Sequence, residues 1–158
     1  MVRSHLPEAI SNAELLLRIG LGALLGMLLG LDREIRGIAA GVRTHGLVAL
    51  SASAVTASGL LLYAEVRSGG GDADPLRVVQ GIYQAIGFIG AGLVFAHHGR
   101  VHNLTSAASI TLATAVGITA GAGQFALSAM SAVLGIVILT VVRMAERLIP
   151  GSRKAEED

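Results

Sequence analysis

The sequence predicts an all-α integral membrane protein, a bundle of about five transmembrane helices. Three observations carry this expectation. The 158 residues are 53% hydrophobic, with a mean hydropathy of +0.67. Only 15% are charged, against about a quarter in soluble domains. Those charges are clustered, and the apolar stretches between them approach the roughly 20 residues that one crossing of a ~30 Å hydrocarbon layer requires. Such stretches use up most of the chain. One transmembrane domain is expected over 14–147, between a polar segment 1–13 and a polar cytoplasmic tail 148–158.

Composition also excludes several classes. A net charge of +1 provides no basic field for nucleic acid. Cysteine is absent, which removes disulfides, thiolate metal sites and cysteine nucleophiles together. With no Trp, three Phe and two Tyr, an aromatic belt is nearly missing, and Gly, Ala, Ser and Thr take its place. Met1–Glu8 is polar and mixed in charge, and Arg18 interrupts the first apolar run. No small-residue cleavage site follows a short apolar core, so this run is expected to stay as a membrane helix.

The first span is expected over Glu14–Leu31, ending at Asp32-Arg33-Glu34-Ile35-Arg36, and the second over Thr44–Ala64. A glycine-rich loop follows, and Asp74-Pro75 marks a helix start: Asp caps free amides and Pro suits the first helical position. The third span runs to about Ala96, and His97–Asn103 forms a polar turn. The fourth covers Leu104–Ala120 and the fifth Phe125–Val142. Connections this short predict antiparallel neighbours. On one side lie Arg33, Arg36, Arg43, Arg100, Arg143, Arg147, Arg153 and Lys154; on the other lie Arg3, Arg18, Arg67 and Arg77. The positive-inside rule then puts the N-terminus outside and the C-terminus in the cytoplasm.

Gly22, Gly26 and Gly30 recur every fourth residue and so line one helix face. Gly87, Gly90 and Gly92 give span three a similar bare surface. Lipid supplies little hydrophobic drive between helices, and small residues allow close backbone contact instead. Packing explains these glycines; the sharper alternative is a path where backbone carbonyls meet an ion or water. The hydroxyls of span four can bond back to carbonyls one turn earlier. Thr105 and Ser109, one turn apart near the membrane edge, are its best site candidates.

Asp32 and Arg36 have the spacing of a helical ion pair. Alternatively, Asp32 or Glu34 joins Arg43 and His45 in a buried cluster; such carboxylates would suit a hard ion such as Mg²⁺. Asp74 and Arg77 lie at the opposite membrane face, where capping suffices for Asp74. His97, His98 and His102 have no further ligand beside them for zinc, and a solvated turn accounts for them. No nucleophile and base stand in a catalytic pattern, and His45 near Ser51 does not make one.

These blocks, in this order, resemble the MgtC/SapB family of bacterial inner-membrane proteins. They are Gly26-Met27-Leu28-Leu29-Gly30-Leu31-Asp32-Arg33-Glu34, Ala40-Gly41-Val42-Arg43-Thr44-His45, Asp74-Pro75-Leu76-Arg77, Ile86-Gly87-Phe88-Ile89-Gly90-Ala91-Gly92 and Leu104-Thr105-Ser106-Ala107-Ala108-Ser109. Asp32 stands where the family commonly has Glu. Asn103 and Ser106 stand in a stretch that usually reads Gly-Leu-Thr-Thr. The chain ends soon after span five, so functions of the soluble domain of longer members are not carried over.

The resemblance implies a multi-pass protein of the bacterial inner membrane that supports growth when Mg²⁺ is scarce, within a virulence-associated family. It also implies regulation of other membrane proteins, including the proton-driven ATP synthase, with Asp32, Arg33, Glu34, Arg43, His45, Asp74 and Arg77 as the functional charged residues. The competing expectation is a homo-oligomeric ion channel or transporter with a glycine- and hydroxyl-lined path. An enzyme is not expected, and no cofactor is implied beyond Mg²⁺ itself.

Overall fold

The computed structural model describes residues 10–97, 100–142 and 144. Helix α1 spans Asn12–Ile35, α2 Val42–Ser68, α3 Leu76–Leu93, α4 Leu104–Gly121 and α5 Phe125–Val137, which continues as a π-helical turn over Ile138–Val142. Between α3 and α4, strands β1 (Phe95–His97) and β2 (Arg100–His102) pair antiparallel, with Phe95 opposite His102. The five expected helices are present. The polar turn after span three is instead a short hairpin, and α3 stops at Leu93 rather than Ala96 because Val94 is already extended (φ −78°, ψ 121°). The tail 148–158, Arg3, His98, Arg143, Arg147, Arg153 and Lys154 lie outside the described residues, and with them part of the three-histidine turn and of the charge count.

Helices α1, α2 and α4 are long and apolar enough to cross a membrane, and Phe125–Val141 is a shorter apolar helix. The pattern of burial says what surrounds them. Exposed positions include Leu16, Leu17, Ile35, Leu47, Phe88, Leu134 and Ile138, while the buried set is rich in Gly, Ala, Ser and Thr and includes His45 and Arg33. Large apolar side chains outside and small or polar ones inside invert the order of a water-soluble fold. This is a membrane protein.

Local sequence sets the helix starts. Ser11 accepts from the Glu14 amide at 3.2 Å, the first half of an S-x-x-E cap. Asp74 Oδ1 accepts from the Leu76 amide at 2.9 Å, as expected of a cap at α3. Asn103, which precedes α4, sits in the left-handed region (φ 62°, ψ 21°). Asn tolerates that region better than most residues, and its Nδ2 donates to Leu93 O at 3.2 Å.

Helix α4 is the centre of the bundle, packed against α1, α2, α3 and α5. Backbones touch where glycines permit it. A Cβ on Gly26 would fall 2.5 Å from Ala49 Cβ and 2.6 Å from His45 O, and one on Gly30 would fall 2.7 Å from Gly41 O. Gly22 faces Ser53, and Gly117 and Gly121 lie against the carbonyls of Ala49 and Ser53. The glycines of α3 differ. Gly87 and Gly92 have no neighbour within 4 Å and Gly90 only Ala107 Cβ at 3.8 Å, so within this chain they form an open surface, not a packed one. Thr111, Thr114 and Thr119 bond back to carbonyls of Ala107, Ile110 and Ala115, as expected of helical hydroxyls.

Candidate functional site

Asp32, Arg33 and Glu34 follow one another in α1, so their side chains leave the helix about 100° apart. Asp32 turns back along the surface and pairs with Arg36, Arg36 Nε donating at 2.7 Å. Glu34 reaches the start of α2 and accepts from the Val42 amide at 3.0 Å. Arg33 alone points inward. It is 3% exposed and continues the face that carries Gly22, Gly26, Leu29 and Gly30.

Inside, Arg33 Nη2 donates to Ser106 Oγ, and its Nε lies 3.4 Å from Ala39 O. Ser106 Oγ also donates to Ala39 O at 3.2 Å. One turn on, Ser109 Oγ lies 2.9 Å from Ser106 O and 3.0 Å from Nε2 of His45. His45, fully buried, closes the chain with Nδ1 at 3.0 Å from Gly41 O. Four segments thus supply one continuous polar chain: α1 gives Arg33, the connection gives the Ala39 and Gly41 carbonyls, α2 gives His45, and α4 gives Ser106 and Ser109. Ala40, at φ 62°, bends the connection between its two carbonyls.

The expected cluster is therefore redrawn. Asp32 and Glu34 do not join His45, because adjacent helix positions face different ways and each carboxylate has a nearer partner. Arg43 is exposed on α2 and stands outside the polar chain. Asp74 and Arg77 sit exposed at the start of α3, beyond the far end of α2, whose 27 residues span about 40 Å at 1.5 Å each. Of the α4 pair, Ser109 belongs to the chain, while Thr105 is half-buried. Ser106 went unrecognised, although its three-residue spacing from Ser109 puts both on one face.

A second, partly buried arginine was also missed. The Arg18 side chain, 12% exposed, pairs with Glu14 Oε1 at 2.5 Å and donates to Gly121 O at 3.2 Å. An arginine inside an apolar run was itself the signal, since such a side chain needs internal partners.

The chemistry of the polar chain is that of donors meeting hydroxyls and carbonyls. Among the described residues it contains a guanidinium and an imidazole and no carboxylate. Mg²⁺ takes oxygen ligands that include carboxylates, and Asp32 and Glu34 do not converge on one point. Among the described residues no group of three or more His, Cys, Asp or Glu is placed to hold a metal. These residues do not fit a bound divalent ion.

The family model described as MgtC family matches residues 19–148. This chain belongs to the MgtC family. It is 36% identical to Protein MgtC of Brucella abortus (strain 2308) over 120 residues, which cover 76% of this chain and 48% of that protein. It is 31% identical over 131 residues to YhiD of Escherichia coli (strain K12), a protein whose name ties it to magnesium transport; the match covers 82% of this chain and 61% of YhiD. Protein MgtC of Salmonella paratyphi A is 31% identical over 138 residues, 85% of this chain and 56% of that protein. The chain thus spans about half the length of the MgtC proteins it matches. No solved structure matches it. The family match runs from within α1 through α5 and so contains the whole Arg33–His45 chain.

Proposed function

We propose that this protein supports growth at low Mg²⁺ as an accessory of other membrane proteins, the proton-driven ATP synthase among them, and does not itself carry Mg²⁺. It acts as a multi-pass protein of the bacterial inner membrane, with its N-terminus outside and its C-terminus in the cytoplasm. The observation behind this reading is the character of its buried polar groups. Arg33, Ser106, Ser109 and His45 are locked to one another and to backbone carbonyls, an arrangement that sets helix geometry and repels a divalent cation. A Mg²⁺ carrier needs carboxylate and carbonyl oxygens converging on one point.

The test pairs growth with flux. In a bacterium lacking its own copy, the protein restores growth at limiting Mg²⁺. Arg33→Gln and His45→Leu abolish rescue while the protein remains inserted. Purified protein in liposomes passes no Mg²⁺. Flux that falls in Ser109→Ala would overturn this reading in favour of a channel.

A further inference from the structure

Between α1 and α2, on the outer surface of the bundle, runs a furrow of about 440 Å³. Ala23 and Met27 of α1 and Val42, Arg43, Gly46, Leu47 and Leu50 of α2 line it. Ala23 carries only a methyl group where the two helices meet, while the Met27 side chain lies over Gly46. From Val42 to Leu50 it extends for about 12 Å along α2, at 1.5 Å per residue. Its walls are hydrocarbon throughout, Arg43 contributing the apolar part of its side chain at one end.

Among the described residues, charge at that end is unbalanced. Asp32 is held by Arg36, and Glu34 is held by the Val42 amide. Arg33 is turned inward to Ser106. Arg43 is exposed, and among the described residues no carboxylate lies within ion-pair distance of it. A second furrow, between α2 and α3, is larger, about 590 Å³, with Arg77 at its mouth. That end of the bundle carries Glu65, Asp72 and Asp74 against Arg67 and Arg77, so it does not favour an anion.

We propose that the α1–α2 furrow binds an anionic phospholipid, one acyl chain lying along Ala23, Leu47 and Leu50 and the phosphate paired with Arg43. The furrow supplies the shape for a flexible hydrocarbon chain, and Arg43, exposed at the end of the furrow, supplies the headgroup preference. Arginine suits phosphate because its planar fork meets two oxygens at once. The site is separate from the Arg33–His45 chain, and its occupancy does not depend on the regulatory role proposed above.

The experiment titrates the full-length protein, purified in mild detergent, with dioleoyl phosphatidylglycerol and separately with dioleoyl phosphatidylcholine. Bound lipid is counted by native mass spectrometry. Phosphatidylglycerol is retained in preference to phosphatidylcholine. Arg43→Gln weakens that retention about fivefold, the effect of removing one near-surface cation from an anionic lipid, and Arg43→Lys restores part of it. Ala23→Leu, which fills the furrow and leaves the charge in place, reduces binding of phosphatidylglycerol. Arg77→Gln leaves it unchanged. Equal retention of both lipids by the unaltered protein, or equal loss in Arg77→Gln and Arg43→Gln, would overturn the proposal.

Discussion

His45 and Ser109, 64 residues apart in the chain, meet at 3.0 Å across the buried α2–α4 interface. Their partners restrict where the protons sit. Gly41 O can only accept, so Nδ1 of His45 carries a hydrogen. The Ser109 hydroxyl has one proton and two acceptors in reach, Ser106 O and Nε2. The imidazole therefore couples α2 to α4 through a single hydroxyl.

Removing that hydroxyl leaves Nε2 of His45 facing a methyl group in a closed site. Ser109→Ala is expected to cost about 1–3 kcal/mol, the range for stranding one buried polar group. His45→Leu in the same background removes the stranded group, so the double variant loses less than the sum of the singles. The expected coupling is about 0.5–3 kcal/mol, read from thermal unfolding in detergent. Additive losses would mean that the two side chains do not interact.

The glycines divide into two classes with opposite expected effects. Replacing a helical Gly by Ala gains about 0.5–1 kcal/mol of backbone entropy, whereas overpacking a tight interface costs about 1–3 kcal/mol. At Gly26 the second effect wins, because the new methyl would meet Ala49 and the His45 carbonyl; Gly26→Ala lowers the melting temperature. At Gly87 nothing lies within 4 Å, so Gly87→Ala leaves stability unchanged or raised. A loss at Gly87 equal to that at Gly26 would mean that a second copy packs on α3.

The five segments were legible because apolar runs of that length have few other uses, and their order came from the charges between them. Their ends were less so. The first helix continues through Ile35 rather than stopping at Leu31, since the Asp32–Arg36 pair is an intrahelical contact that favours another turn. The site was half legible. Arg33 lies three, seven and eleven residues beyond Gly30, Gly26 and Gly22, spacings that return to one helix face, so its inward direction was readable. Which carbonyl would meet it was not, because Ala39 is placed by a bend at Ala40 that no local pattern announces.

The two arginines at the end of α1 are expected to differ sharply. Arg36 and Asp32 form an i,i+4 pair with side chains about a quarter exposed, and such pairs are worth about 0.3–0.5 kcal/mol. Arg36→Gln therefore barely shifts the melting temperature. Arg33→Met keeps the length of the side chain but removes charged donors from buried oxygens, contacts worth about 1.5–3 kcal/mol each to a charged group. The same thermal measurement on both variants distinguishes them. Equal small shifts would mean that Arg33 is not held as described.

Asn103 offers a test of backbone conformation alone. It is left-handed at φ 62°, at a position where the family resemblance implies glycine. Both Asn103→Gly and Asn103→Ala lose the side-chain bond to Leu93 O, so that contribution cancels between them. What remains is the left-handed penalty of a Cβ, about 1–2 kcal/mol, which falls on Ala and spares Gly. Asn103→Gly is thus expected to be more stable than Asn103→Ala by roughly that amount in thermal unfolding of the detergent-solubilised protein. If the two variants melt together, the chain enters α4 with a different backbone conformation, and the placement of Ser106 and Ser109 opposite Arg33 and His45 must be redrawn with it.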